Sequence, residues 1–82
     1  MIPRIKEIQP LDNFILLVKF DDGKVVHYNL NEDIVAIPAF RSLQDEYGLY
    51  RNFQLDASRT CVTWSEDIDL PSDCIYEYGQ VI

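Results

Sequence analysis

The sequence is poor in the residues on which several classes of protein depend. It has one histidine, two cysteines and three glycines among 82 residues. Two cysteines are too few for the disulfide framework of a small secreted domain, and neither a CxxC pair nor a nearby histidine completes a metal-ligand set. No apolar run approaches the roughly 20 residues that cross a bilayer, and no signal peptide precedes Ile2. We therefore expect a cytoplasmic protein with reduced cysteines and with no membrane contact, metal or cofactor.

Basic residues are also scarce. Fourteen acids face seven bases, which gives a formal charge of −7 and a pI near 4.3. Residues 1–30 carry four of each sign, so residues 31–82 carry the whole excess. Such a surface repels nucleic-acid phosphates and anionic lipids, and we expect it to bind neither directly. It favours encounter with a basic protein partner, although net charge also serves solubility alone.

Residues for catalysis are few. His27, the one possible imidazole acid or base, falls on the predicted outer face of a strand and has no nucleophile or carboxylate at a telling spacing. Cys61 lies among neutral residues that would not stabilise a thiolate, so it is expected to be a buried structural residue. The serines lack a GxSxG context, and the glycines stand too far apart for a phosphate loop. We expect no catalytic residue and no enzyme.

The first half of the chain has the pattern of strands. Arg4 to Ile8 is a plausible strand closed by Pro10, and Phe14 to Phe20 alternates so strongly that one face is fully apolar. Gly23 supplies the positive φ of a hairpin turn, so Lys24 to Leu30 is expected to return antiparallel. Ile15 and Leu17, on the opposite face of the Phe14–Phe20 strand, predict that this face is covered by a helix or another chain.

The second half mixes helices and strands. Residues 31–33 break the pattern, and apolar spacing predicts a helix from Phe40 to Tyr47 that stops at Gly48. The further expected elements are strands at Tyr50–Asp56 and Thr60–Trp64, then a helix at Leu70–Tyr78 with Gly79 at its C′ position. The prediction is a single α+β domain over residues 1–82, with mainly antiparallel strands in the order β-β-β-α-β-β-α and two short helices. Its core should contain the aromatic residues Phe20, Tyr28, Phe40, Phe53 and Trp64.

Acidic residues crowd one short stretch near the end of the chain. Asp67 and Asp69 alternate as in a calcium loop, but Pro71 follows and no glycine does, so a metal site is not expected. This stretch is therefore expected to be either a solvated acidic turn or a surface that binds a basic partner. The candidate partner-binding residues are Glu66, Asp67, Asp69 and Asp73, with apolar support from Ile15 and Leu17.

The ordered motifs resemble those of the DUF2442 family, a domain of unknown function in small bacterial proteins. They are Phe20-Asp-Asp-Gly23, Phe40-x-x-Leu43, Phe53-x-Leu-Asp56, and Trp64-Ser-Glu-Asp-Ile-Asp69 followed by Leu70-Pro-Ser-Asp-Cys-Ile-Tyr76. The resemblance runs from about Arg4 to Gly79. The sequence departs from the family where Ser65-Glu66-Asp67 replaces a Pro-Asn-Gly-type turn, so any shared site at that turn is in doubt here.

The resemblance implies an α+β fold and no established catalysis. Genes of this family often lie beside a second small gene, in an arrangement similar to a toxin–antitoxin pair. The leading hypothesis is therefore a non-enzymatic interaction module, an antitoxin-like partner of a small basic protein. A self-associating structural domain is the alternative, and a small-molecule or metal-binding domain is the third hypothesis.

Overall fold

A computed structural model describes residues 2–46 and 48–82 of the protein. Its strands form two antiparallel sheets, and short helices connect them. Sheet 1 has the order β1-β2-β3-β7, and sheet 2 has the order β4-β5-β6. The strands are β1 (Ile5–Leu11), β2 (Ile15–Phe20), β3 (Val25–Asn29), β4 (Gln54–Leu55), β5 (Cys61–Ser65), β6 (Ile68–Pro71) and β7 (Gln80–Val81). The helices are α1 (Asn31–Ala36), α2 (Ser42–Asp45) and α3 (Ser72–Tyr78). The predicted α+β class with antiparallel pairing is confirmed.

The β2–β3 hairpin forms as its sequence predicts. Leu16, Val18 and Phe20 alternate inward and are buried, because a strand sends successive side chains to opposite faces. Gly23 has a φ of 95°, and its N–H donates to the carbonyl of Phe20 at 3.0 Å. His27 on β3 is exposed, as predicted.

Strand β1 is longer than predicted. Pro10 was expected to close it, but β1 continues to Leu11. The prediction was wrong because β1 is an edge strand of sheet 1, where a proline need not donate to a neighbour. The next strand was predicted to begin at Phe14, which was also wrong. Phe14 lies in a 3-10 turn with a φ of 60°, and β2 begins at Ile15.

A helix replaces the predicted break after β3. Residues Asn31 to Ala36 form α1, with Ile34 buried against the core. Glu32 and Asp33 occupy its first turn, where negative charge interacts favourably with the free N–H groups of a helix start. Polar residues that begin a helix were thus read as residues that end a strand.

The predicted helix at 40–47 is divided. A 3-10 turn at Pro38–Arg41 leads into α2, which ends at Asp45. Phe40 and Leu43 are buried, as the helical spacing predicted. Tyr47, the third residue of that pattern, lies outside the described residues. Gly48 was predicted to stop this helix, but α2 ends three residues earlier with Glu46 as an extended C-cap, and the φ of 81° at Gly48 belongs to the turn that follows.

Sheet 2 contains one strand more than predicted. The strand expected at residues 50–56 shrinks to Gln54–Leu55, because Tyr50 lies in a turn and its carbonyl accepts the indole N–H of Trp64 at 2.9 Å. Residues 66 and 67 form the predicted acidic turn. Strand β6, which follows, was not predicted. It returns beside β5, with Leu70 opposite Val62.

The end of α3 corrects the interpretation of Gly79. A left-handed C′ glycine was predicted, but its φ is −67° and its ψ is 151°, an extended conformation. Glycine is required by space instead, since a Cβ there would lie 2.5 Å from the carbonyl oxygen of Ile75 and 2.8 Å from Cγ2 of Val26. The extended conformation carries the chain into β7, which pairs with β3 and was not predicted.

One core lies between the inner faces of the two sheets. Of the aromatic residues predicted there, four are buried and Phe53 packs against the cluster half-buried. Hydrogen bonds tie the sheets together, because Ile5 N–H donates to the carbonyl of Arg59 at 2.8 Å and the hydroxyl of Ser72 donates to the carbonyl of Pro3 at 2.6 Å. No helix within residues 2–46 and 48–82 has the length and apolar character to cross a membrane.

Candidate interaction surfaces

The four candidate carboxylates lie on one continuous stretch, residues 66–73, which we call the acidic segment. Glu66 and Asp67 form the turn between β5 and β6, Asp69 points outward from β6, and Asp73 is in the first turn of α3. All four are exposed. They face solvent because Ile68, Leu70 and Ser72 alternate with them and are buried. The strand period exposes Asp69, while the buried Ile68, Leu70 and Ser72 anchor the segment to the core.

No cation neutralises the acidic segment in the described part of the chain. The ion pairs within residues 2–46 and 48–82 are Lys19–Glu7 at 3.6 Å, Arg51–Asp12 at 3.0 Å and Arg59–Asp21 at 2.8 Å. Residues 31–82 contain only three basic residues, and two of these, Arg51 and Arg59, are paired with carboxylates of residues 1–30. Two of the three basic residues of residues 31–82 therefore neutralise carboxylates of residues 1–30 and not those of the acidic segment.

Helices α1 and α3 extend this negative surface. The hydroxyl of Tyr28 donates to Asp33 at 2.7 Å, which fixes the first turn of α1. Burial, followed by the charges of Asp73, Asp33 and Glu77, raises the pKa of the Cys74 thiol. Carboxylates from both helices therefore disfavour the thiolate of one half-buried cysteine. Asp33 was not among the predicted surface residues, because the sequence pattern at residues 31–33 was interpreted as a break and not as the start of α1. Acidic residues after Asn31 are nevertheless typical of a helix start.

Ile15 and Leu17 lie elsewhere. Both are half-buried on the outer face of sheet 1, where Ile15 is opposite Asn29 and Leu17 is opposite His27. The acidic segment belongs to sheet 2 and α3. Since the inner faces of both sheets contribute to the same core, their outer faces point away from each other. The structure brings the four carboxylates together on one segment and does not join Ile15 and Leu17 to them.

The remaining titratable candidates do not assemble into a reactive group. His27 is exposed beside Leu17 and Gln80 in the register of the sheet. Cys61 is only half-buried, where a buried residue was predicted, and it lies 4.0 Å from the hydroxyl of Thr63. Cys61 and Cys74 are both free thiols. Over residues 2–46 and 48–82, no three histidine, cysteine or acidic side chains are grouped so that they could hold a metal ion.

One family model matches nearly the whole chain. The model of the family described as "Protein of unknown function (DUF2442)" matches residues 5–80. The chain belongs to the DUF2442 family. The DUF2442 match begins at the first residue of β1 and ends in β7, so it includes both sheets and the whole acidic segment. No curated protein and no solved structure matches the chain.

Proposed function

We propose that this DUF2442 protein is a cytoplasmic, non-enzymatic interaction module, and that the acidic segment binds a small basic protein, as an antitoxin-like component would. The observation that carries the proposal is the exposure of Glu66, Asp67, Asp69 and Asp73 with no cation paired to them in the described residues. Uncompensated charge on one surface steers an oppositely charged partner and selects its orientation.

Apolar contacts beside the charges would supply most of the affinity. Buried apolar and aromatic anchors dominate the free energy of most interfaces, while exposed carboxylates contribute mainly to the rate and specificity of association. Val35 on α1 and Tyr78 on α3 have exposed fractions of 78% and 74%. They lie on α1 and α3, the two helices whose carboxylates raise the pKa of the Cys74 thiol. We assign the anchoring role to Val35 and Tyr78, and Ile15 lies beside Tyr78, with which it lines one pocket.

The state of the thiol supports a role without catalysis. Burial and the charges of Asp73, Asp33 and Glu77 raise the pKa of the Cys74 thiol, so the thiol stays protonated at neutral pH. A protonated thiol is a poor nucleophile, and within residues 2–46 and 48–82 no hydrogen bond joins Cys74 to the single histidine, the exposed His27. Binding chemistry therefore accounts for this surface better than covalent chemistry does.

Affinity capture at low and high salt tests the proposal. The tagged chain and its Asp67→Lys/Asp69→Lys variant are each incubated with native lysate, and retained proteins are identified by mass spectrometry. A small basic protein retained by the wild-type chain, lost at high salt and lost from the variant supports the proposal. The Asp45→Lys/Glu46→Lys variant is the matched control, because it changes the net charge equally on α2 and beside it. If this control loses the protein to the same extent, the acidic segment is not the binding surface.

A second candidate function is self-association through the outer face of sheet 1. Leu11, Ile15, Leu17 and Val25 are apolar and half-buried on that face. Edge pairing through β1 is less favourable, since the carbonyl of its Leu11 already accepts the hydroxyl of Tyr50 at 2.7 Å. Sedimentation equilibrium tests this candidate. A dimer that the Leu17→Lys variant abolishes supports it, and a monomer at high concentration excludes it.

A further inference from the structure

An open groove lies where the two sheets and α3 meet, on a side of the molecule that the acidic segment does not use. Its volume is about 880 Å³, within the range of roughly 300–1,000 Å³ that is typical of small-molecule sites. The segment before β1, the end of β2 with the β2–β3 turn, the β4–β5 turn and α3 all contribute to it. Segments far apart in the sequence therefore meet at one concave surface.

The walls of the groove are mainly apolar. Ile2, Pro3, Phe20 and Tyr76 line it. Phe20 is almost fully buried, and its ring meets that of Tyr76 edge to face with 4.9 Å between centroids. This contact holds the base of the groove in a fixed shape, whereas Ile2 is 59% exposed and available to a ligand. The walls suit an aliphatic or aromatic body.

The two carboxylates of the groove already have partners. Asp21 accepts two bonds from the guanidinium of Arg59, at 2.9 and 2.8 Å. Asp22 accepts the hydroxyl of Tyr76 at 2.6 Å and the backbone N–H of Lys24 at 2.9 Å. A cation that entered the groove would have to compete with these bonds.

Arg4 is the basic residue among those that line the groove. It is exposed, and within residues 2–46 and 48–82 no side chain or carbonyl accepts a bond from its guanidinium. The planar fork of an arginine matches the two oxygens of a carboxylate. A phosphate dianion would bring more negative charge beside Asp21 and Asp22 than a carboxylate does, in a chain of net charge −7.

We propose that this groove binds a small amphipathic carboxylate, with its apolar body against Pro3, Phe20 and Tyr76 and its carboxylate on Arg4. The site is independent of the acidic segment, and each can fail without the other. Ile2 would close over the apolar body from the rim. The charged end would lie at the start of β1, where Arg4 is exposed to solvent.

Amide NMR titration of the full chain tests the proposal. The probes are phenylbutyrate, the matched alcohol phenylbutanol, the matched amine phenylbutylamine and inorganic phosphate. Phenylbutyrate should shift the amide signals of residues 20–22 and 58–60, and it should bind about fivefold more tightly than phenylbutanol. Phenylbutylamine and inorganic phosphate should bind more weakly still. Equal binding of acid and alcohol, tighter binding of the amine or phosphate, or no shift in these signals overturns the proposal.

Matched variants locate the charge and the apolar contact. Arg4→Gln should reduce the affinity for phenylbutyrate to that for phenylbutanol, while Lys6→Gln, an exposed base two residues away, should leave it unchanged. Ile2→Ser should weaken both ligands by a similar factor. If Lys6→Gln weakens phenylbutyrate as much as Arg4→Gln does, attraction by general positive charge explains the binding and the assignment of Arg4 is wrong.

Discussion

Replacement of Gly79 by alanine tests the close packing of α3 against β3. The backbone of Gly79 has an extended conformation that any residue can adopt, so the substitution adds volume without backbone strain. The added methyl would lie 2.8 Å from Cγ2 of Val26, well inside the ~3.5–4.0 Å that is optimal for two carbon atoms. Neither neighbour can move freely, since Val26 is fully buried and the carbonyl of Ile75 accepts the N–H of Gly79 at 2.9 Å.

The expected cost follows from two opposing effects. Overpacking of a core costs about 1–3 kcal/mol. Loss of freedom in the unfolded chain on changing glycine to alanine offsets ~0.4–1 kcal/mol of this. The variant should therefore be less stable by about 1–2 kcal/mol, which lowers the Tm of a chain this size by roughly 5–15 °C. Urea unfolding followed by the fluorescence of Trp64, the one tryptophan and a buried one, measures the change.

Gly23→Ala is the control for this experiment. Nothing lies within 4 Å of a Cβ at Gly23, but its φ of 95° makes any side chain strained, so its cost of about 1 kcal/mol should arise from the backbone. In a Val26→Ala background the cost of Gly79→Ala should fall by ~0.5 kcal/mol or more, while the cost of Gly23→Ala stays the same. A Gly79→Ala protein as stable as the wild type would refute the packing argument.

Two further predictions concern the buried tyrosines. Tyr50→Phe removes a hydroxyl shared between the carbonyls of Leu11 at 2.7 Å and Ile15 at 2.8 Å, and should cost about 1–2 kcal/mol in urea unfolding, whereas Tyr78→Phe at an exposed position should cost nothing measurable. Burial raises the pKa of Tyr50 to about 12, and burial with the hydrogen bond to Asp33 raises the pKa of Tyr28. The folded state therefore holds these protons more tightly than the unfolded chain, so stability should be complete below pH ~10 and fall from there to pH ~12. Thermal unfolding across this range should show a smaller alkaline loss for Tyr50→Phe than for the wild type, and an equal loss would contradict the assignment.

Local patterns in the sequence predicted the parts of the fold that depend on local physics. The alternation in β2 and β3, together with Gly23, predicts the hairpin and the exposure of His27 without reference to any tertiary contact. Elements that exist only through pairing escaped prediction. Strand β7 has two residues, and it forms because Gly79 lets the chain pass close to Val26 on β3. No composition or period within residues 80–82 indicates this.

The candidate surfaces likewise include features that local sequence patterns predict and features that depend on tertiary packing. Exposure of the acidic segment could be read from the charged residues of the sequence, because clustered carboxylates without partners remain in solvent. The effect of Asp33 on the Cys74 thiol depends on how the fold places α1 relative to α3, because the whole of sheet 2 separates these helices in the sequence. The groove at Arg4 is likewise assembled from distant segments, so no local pattern in the sequence indicates it.

Titration of the purified captured partner shows whether the acidic segment binds a basic protein. Its affinity for the wild-type chain, Asp67→Lys/Asp69→Lys and Asp45→Lys/Glu46→Lys is measured by calorimetry at several salt concentrations. We predict that Asp67→Lys/Asp69→Lys weakens binding by roughly tenfold or more and flattens its salt dependence, because steering charges are removed and opposed. The Asp45→Lys/Glu46→Lys control should change binding much less. Unchanged affinity and salt dependence for Asp67→Lys/Asp69→Lys would contradict the account.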